Sequence, residues 1–314
     1  MILGKNEGEV LESSTGVLLS VITPTYNRAD LLEETILSII NQSFENWEYI
    51  IVDDGSSDET EDLVKKYLND SRIKYYKHEN IGEARTTNRG YKLAKGKFTI
   101  VVNADDPLFK MDYFETVLNI FNENPDILAI YPNWVNINYN SEIINYVEVP
   151  QYDLLSLLDV FDVTLGPGMV IKKSVLEQIG YRDENIKYTG DLDISYKLAQ
   201  IGKILHIDVY GATHRNHVGC MQNIASKENI AEEIFNLNLM IFNQKRKNIQ
   251  KEVLNKRNKI IKNLLRLYKI YTGKFYQLNK LKKFKYLFLN SFDREFLFFR
   301  YKIMERFGLL WLLK

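Results

Sequence analysis

Through the first 110 residues, hydrophobic positions recur in two alternating rhythms. Val17–Thr23 is a short, mainly apolar run closed by Pro24, and Trp47–Val52, Ile73–Tyr76 and Phe98–Val102 are similar runs of strand length. Between them the spacing becomes that of a helix face. One helix pattern starts at Asp30, with Leu31, Ile36, Ile39 and Ile40 on its stripe. A second, capped by Ser57 or Asp58, carries Leu63, Val64, Tyr67 and Leu68, and a third covers Glu83–Leu93. Strands separated by helices of about 10–15 residues predict βαβ units and a mostly parallel sheet.

Beyond residue 125 the alternation loosens. Leu128–Ile137 and Glu142–Val149 predict strands or a hairpin, Gly166-Pro167-Gly168 a turn, Gly190–Ala199 a helix and Ile204–Val209 a strand. From residue 226 the pattern is helical and rich in lysine, and it closes in an amphipathic stretch, Phe292–Leu313. The expected organisation is an α/β domain over 1–225 and a basic, mainly helical extension over 226–314.

Composition adds two constraints. Apolar content of 45% and charged content of 26% are those of a soluble globular chain. Cys220 is the single cysteine, so no internal disulfide framework is available and a reducing compartment fits. Residues 1–16 lack a secretory pattern, and no run approaches the roughly 20 apolar residues of a membrane span. A cytoplasmic protein is expected, with attachment to the inner face of the membrane as a variant. The formal net charge of zero conceals an asymmetry: residues 243–314 hold 20 lysines and arginines against 4 acidic residues, and residues 1–242 hold 21 against 37.

In open parallel sheets, ligands sit beyond the carboxyl ends of the strands. Two of the predicted strands end there in adjacent acids, Asp53-Asp54-Gly55 and Asp105-Asp106. A carboxylate at such an end accepts hydrogen bonds from a base N–H or a ribose hydroxyl, and Gly55 lets the backbone turn sharply. An acidic turn that caps its own backbone is the plainer account of either pair alone. Two carboxylates in one crevice are costly without a cation, and oxygen ligands suit Mg²⁺ or Mn²⁺.

These motifs, in this order, resemble those of a family 2 glycosyltransferase: S-V-I-T-P-T-Y-N-R over Ser20–Arg28, I-I-V-D-D-G-S-S-D-E-T over Ile50–Thr60, N-x-G over Asn80–Gly82, and V-N-A-D-D over Val102–Asp106. The resemblance covers roughly residues 18–220. It implies a GT-A fold and inverting transfer from a nucleoside-diphosphate sugar, most often a UDP-sugar, with a divalent metal on the diphosphate. It implies nucleotide contacts at Pro24, Tyr26, Asn27, Arg28, Asp53, Asp54, Asn80, Gly82, Arg85, Asn103, Ala104 and Asp105, and metal contacts at Asp106 and His217. Thr189-Gly190-Asp191-Leu192-Asp193 is similar to the family's E-D-x-D, which makes Asp191 the candidate general base. Trp134, Gly168, Met169, Asp193, His214 and Arg215 are assigned to the acceptor and diphosphate side, where a cation would offset charge on the leaving group. The chain departs from the family pattern at three positions. Asn103 stands where an acid is usual, Thr87 where an arginine is usual, and Gly190 where a glutamate is usual.

The basic stretch over 243–314 admits three readings. It is an interfacial helix on an anionic membrane, a helical appendage that packs on the body or a second subunit, or, less in keeping with its pattern, a nucleic-acid surface. No nucleic-acid partner is expected, and a glycan or lipid-linked acceptor is. A sugar-nucleotide pyrophosphorylase lacks support, because Ser20–Arg28 contains no glycine-rich phosphate loop. A dinucleotide oxidoreductase lacks its G-x-G-x-x-G. A non-catalytic nucleotide-binding scaffold on the same fold is the alternative that the three departures keep open.

Overall fold

The computed structural model describes residues 16–152 and 166–220, together with residues 229, 230, 233 and 237. The chain divides into two compact units, Met1–Leu264 and Leu265–Lys314, and every described residue belongs to the first. The basic stretch and Phe292–Leu313 lie outside the described residues.

Four strands and three helices alternate as the pattern predicts: β1 (Leu19–Thr25), α1 (Ala29–Ile40), β2 (Trp47–Asp53), α2 (Thr60–Lys65), β3 (Ile73–Lys77), α3 (Glu83–Leu93) and β4 (Phe98–Val101). β1 pairs in parallel with β2 and β4, and β2 with β3. All residues of β1 and β2 are buried, which is why their sequences read as apolar runs and not as alternation. Asp58 caps differently from expectation. Its carboxylate accepts the Ala29 N–H at 3.1 Å and the Thr60 N–H at 3.1 Å, so it ties the starts of α1 and α2 together.

Then come α4 (Tyr113–Glu123), β5 (Ala129–Ile137), β6 (Ile143–Val147), β7 (Val170–Lys172), α5 (Lys173–Ile179), α6 (Gly190–Ile201) and β8 (Ile204–Arg215). The sheet order is β3-β2-β1-β4-β7-β5-β6, with β8 also on β5. β7 is antiparallel to β4 and β5, whereas β8 runs parallel to β5 along its whole length. α4, β7 and α5 had no predicted counterpart. β7 is only three residues long, below the length at which a period can be read. β8 runs six residues past its predicted end at Val209, because β5 and the segment after β4 supply its partners: Thr213 donates its N–H to the Pro107 carbonyl at 3.1 Å. The core packs α1 and α4 onto the sheet through Leu32, Ile36, Ile39, Phe114, Val117 and Phe121. Among the described residues, no helix is long and apolar enough to cross a membrane.

Candidate functional site

β1 lies between β2 and β4, so the loop after β1 separates the two acidic strand ends. Asn27, in that loop, has φ of 51°, a region asparagine tolerates better than most residues. It is stitched to the end of β2. Its N–H donates to Ser56 Oγ at 2.9 Å, and its Oδ1 accepts the Ser57 N–H at 2.8 Å. Tyr26 stands beside it and is 47% exposed.

The first acidic pair divides its work. Asp53 is fully buried, with Oδ1 accepting the Ser56 N–H at 2.7 Å and Oδ2 accepting the Tyr75 hydroxyl. Burial, and then Asp53 itself, push the Tyr75 phenol well above its ordinary value, so it stays a donor. Asp54 holds the N-x-G loop, its two oxygens accepting the N–H groups of Ile81 at 2.7 Å and Gly82 at 3.0 Å. Gly55 has φ of 83°, and a Cβ there would meet the Asn80 backbone nitrogen at 2.9 Å, so both conformation and space call for glycine. Asn80 and Gly82 are exposed at the rim. Arg85 is also exposed and pairs with Glu184 at 3.2 Å.

The second pair faces two different sets of partners. Asp105 Oδ2 lies 2.8 Å from His217 Nε2 and 3.6 Å from Arg28 Nε. The Gly219 N–H donates to His217 Nδ1 at 3.2 Å, so the ring proton sits on Nε2 and points at Asp105. Arg28 also donates to the Gly219 carbonyl at 2.7 Å, which closes the 216–220 loop onto the crevice. Asp106 is buried. Its Oδ1 accepts the Arg215 N–H at 2.7 Å, its Oδ2 accepts the Asn103 amide at 2.9 Å, and His214 Nδ1 lies 3.8 Å away. Ala104 is buried between them, its carbonyl accepting the Thr35 hydroxyl at 3.0 Å.

Strand alternation separates His214 from Arg215. Trp134, Asn136, Ala212 and His214 share one face of the β5–β8 pair, and Val135, Ile137, Thr213 and Arg215 share the buried one. The Arg215 side chain is fully enclosed. It donates to the Asp105 carbonyl at 2.8 Å, to the carbonyls of Asn138 and Tyr139 at 3.1 and 2.9 Å, and pairs with Glu34. Its charge therefore braces the backbone of the acidic pair from below, on the side away from the crevice. Trp134 is half-buried with its ring against Gly166, and its Nε1 donates to Asn136 at 3.2 Å. The Gly168 carbonyl accepts the buried Tyr113 hydroxyl at 2.6 Å, and Met169 beside it is half-buried.

Asp191 lies in the first turn of α6, with Oδ1 accepting its own helix's Leu192 N–H at 2.9 Å. Burial raises its carboxyl above the ordinary aspartate value, and the charge of Arg182 offsets part of that. Asp193 turns inward, accepting the Asp183 N–H at 2.9 Å and pairing with Lys197 at 2.7 Å. Three residues that carry no motif organise this side. Arg182 pairs with Glu83 in the first turn of α3. Glu233 accepts the N–H groups of Lys187, Tyr188 and Thr189 at 2.7, 2.8 and 2.9 Å, and the Thr189 hydroxyl at 2.9 Å. Their only trace in the sequence is an acid at a helix start for Glu83; for Arg182 and Glu233 there is none. Among the described residues, no group of three or more His, Cys, Asp or Glu side chains is gathered to hold a metal ion.

A model described as glycosyl transferase family 2 matches residues 20–180. The chain is 31% identical over 195 residues to an uncharacterised glycosyltransferase of Rickettsia typhi, covering 60% of each chain. It is 26% identical over 207 residues to a poly-β-1,6-N-acetyl-D-glucosamine synthase of Staphylococcus epidermidis, covering 63% of this chain and 48% of the synthase. The chain thus spans about 60% of the first relative's length and about half of the second's. Among solved structures, TarS 1–349 of S. aureus in complex with UDP-GlcNAc superposes with a TM-score of 0.60 at 21% identity, covering 81% of this chain and 82% of TarS. A mannosyltransferase from Pyrobaculum calidifontis in complex with GDP-Man and Mn²⁺ gives a TM-score of 0.56 at 15% identity, covering 99% and 92%. At those identities the likeness is one of fold.

Proposed function

This chain belongs to glycosyl transferase family 2 and shares the fold of its GT-A neighbours, and we propose that it moves a sugar from a nucleoside-diphosphate sugar, first of all a UDP-sugar, to a hydroxyl of a glycan or lipid-linked acceptor. The observation that carries this reading is the meeting of two acidic strand ends on one sheet edge. Asp53-Asp54 ends β2 and Asp105-Asp106 follows β4, with Arg28 from the intervening loop 3.6 Å from Asp105. This supports a nucleotide lying across the ends of β1, β2 and β4. Its base would lie toward Pro24, Tyr26 and Asp53, and its ribose toward Asp105. The UDP-GlcNAc bound by TarS and the polymer made by the S. epidermidis relative support a UDP-sugar and a glycan product.

Inversion proceeds in one displacement. Asp191 takes the acceptor hydroxyl proton while that oxygen bonds to the anomeric carbon. The bond from that carbon to the diphosphate breaks, and its electron pair leaves with the diphosphate. A carboxyl raised by burial is better matched to accept a proton near neutral pH than an ordinary aspartate.

Mg²⁺ or Mn²⁺, when bound, would offset charge on the diphosphate. Asp106 would hold it, with the exposed Asn103 amide beside it. The donor chemistry fits, because Asp106 offers two carboxylate oxygens, one accepting the Arg215 N–H and the other the Asn103 amide, and each such oxygen has two lone pairs. His217 would join only by giving up one of the two hydrogen bonds its ring now makes. The basic stretch over 243–314 fits an anionic membrane surface that would bring the enzyme to a lipid-linked acceptor.

Calorimetry with UDP, GDP, CDP and dTDP, in Mn²⁺ and in EDTA, tests the donor side. One nucleotide should bind tightly in Mn²⁺, and Asp106→Asn should abolish the metal dependence. Binding of none under either condition refutes the reading. Asp191→Asn should keep nucleotide binding and lower transfer by about 10²–10⁴-fold, the usual worth of a general base.

A further inference from the structure

Two of the three departures from the family pattern, Thr87 and Gly190, are linked in space through Arg182. This residue lies in the turn after α5, and α3 clamps its backbone at two points. Asn88 Nδ2 donates to the Arg182 carbonyl at 3.0 Å, and the Arg182 N–H donates to Asn88 Oδ1 at 3.1 Å. The side chain is largely covered, at 12% exposure, and its guanidinium pairs with Glu83 Oε1. The same oxygen accepts the Thr87 hydroxyl at 3.0 Å, so Arg182 brings its cation beside the position where the family pattern has an arginine. The other end of the contact is Gly190. A Cβ there would stand 3.4 Å from Arg182 Cδ and 3.5 Å from Nη1, which is van der Waals contact. The Arg182 side chain therefore packs against Gly190, the residue immediately before Asp191.

We propose that Arg182 is a positioning residue for the transfer described above: anchored on α3 by Asn88 and Glu83, it fixes the first turn of α6 and holds the Asp191 carboxylate in its charged form. The inference rests on Asp191 being the base. Other charged and titratable groups around this turn are Glu83 and Tyr91 on α3, Asp193 and Lys197 on α6, and Glu233 from further along the chain. Glu83 acts on Asp191 in the opposite direction, and the Arg182 charge outweighs it. A guanidinium is suited to this place, since it stays charged even when covered.

The test is ¹³C-carboxyl NMR titration of aspartate-labelled full-length protein, with the Asp191 resonance assigned by its loss in Asp191→Asn. In Arg182→Met and Arg182→Gln the Asp191 midpoint should move to higher pH, and in Arg182→Lys it should stay near wild type. Release of UDP from UDP-GlcNAc in Mn²⁺ should show the same order, with the acid limb of kcat displaced upward in the Met and Gln variants. If Arg182→Met does not fold, Arg182→Gln carries the comparison. An Asp191 midpoint unmoved in a folded Met or Gln variant overturns the proposal while leaving the base assignment intact. Turnover that survives Asp191→Asn overturns the base assignment and, with it, the role in transfer, even where the titration shifts.

Discussion

Glu233 closes on Thr189 with one carboxylate oxygen, which accepts both the threonine N–H and its hydroxyl at 2.9 Å. The two residues are 44 positions apart, and the sequence pattern puts them on opposite sides of the boundary at 225/226. Thr189 has no capping bond from its own side chain to α6, so the charge that completes this helix start comes from further along the chain. Glu233→Ala should lower stability by about 1.5–3 kcal/mol, the range for hydrogen bonds to a charged group. It should also slow transfer, because the turn that carries Asp191 loosens. Thermal unfolding, with kcat measured in parallel, checks both, and Glu233→Gln should fall between.

Arg28 links the loop after β1, Asp105 and the Gly219 carbonyl. Arg28→Ala should weaken UDP binding by about tenfold or more, since a charge-assisted contact is worth roughly 1.5–3 kcal/mol. Melting temperature should change little, because the side chain is 29% exposed and lies outside the core. Calorimetry at two salt concentrations is the check, with the wild-type advantage expected to shrink at the higher one.

Asn103 donates its amide to Asp106 at 2.9 Å, so it spares the site a third neighbouring carboxylate. Asn103→Asp should raise affinity for UDP in Mn²⁺ and lower it in EDTA, where two like charges then face each other. The ratio of the two dissociation constants measures the effect. An unchanged ratio would place the metal away from this residue.

At the opposite end of β2 from Asp53, buried Glu48 accepts hydrogen bonds from Ser20 Oγ at 2.8 Å and the Lys95 N–H at 2.6 Å, and pairs with Lys74 at 2.7 Å. Burial pushes this carboxyl up, but Lys74, Ser20 and the Lys95 N–H together outweigh burial and hold it below 4.5. A depressed folded value means that the stabilisation is full above 4.5 and is lost as pH falls through the folded value. Glu48→Gln should therefore destabilise the protein at neutral pH by about 1–3 kcal/mol, with the gap closing below pH 4.5. Nucleotide binding should be unaffected. Urea titrations at several pH values give the comparison.

Much of this protein was legible without coordinates because the first half is built from local rules. Buried parallel strands need apolar runs, their helices need a 3.6-residue stripe, and the crevice of such a sheet lies at the strand ends. Asp53, Asp54, Gly55, Asp105 and Asp106 could therefore be placed at one edge from their order alone. What depended on the tertiary structure was the direction and partnership of side chains contributed from afar. Sequence pattern set His214 and Arg215 together on the diphosphate side. The continuation of β8 along β5 gives adjacent residues opposite faces, so His214 looks toward Asp106 and Arg215 is sealed beneath Asp105. Arg182 and Glu233 carry no period, cap or motif, and they acquire meaning only where the chain folds back to bring them to Gly190 and Thr189. Pairing between distant residues is decided by the packing of whole elements, and no local window of sequence contains it.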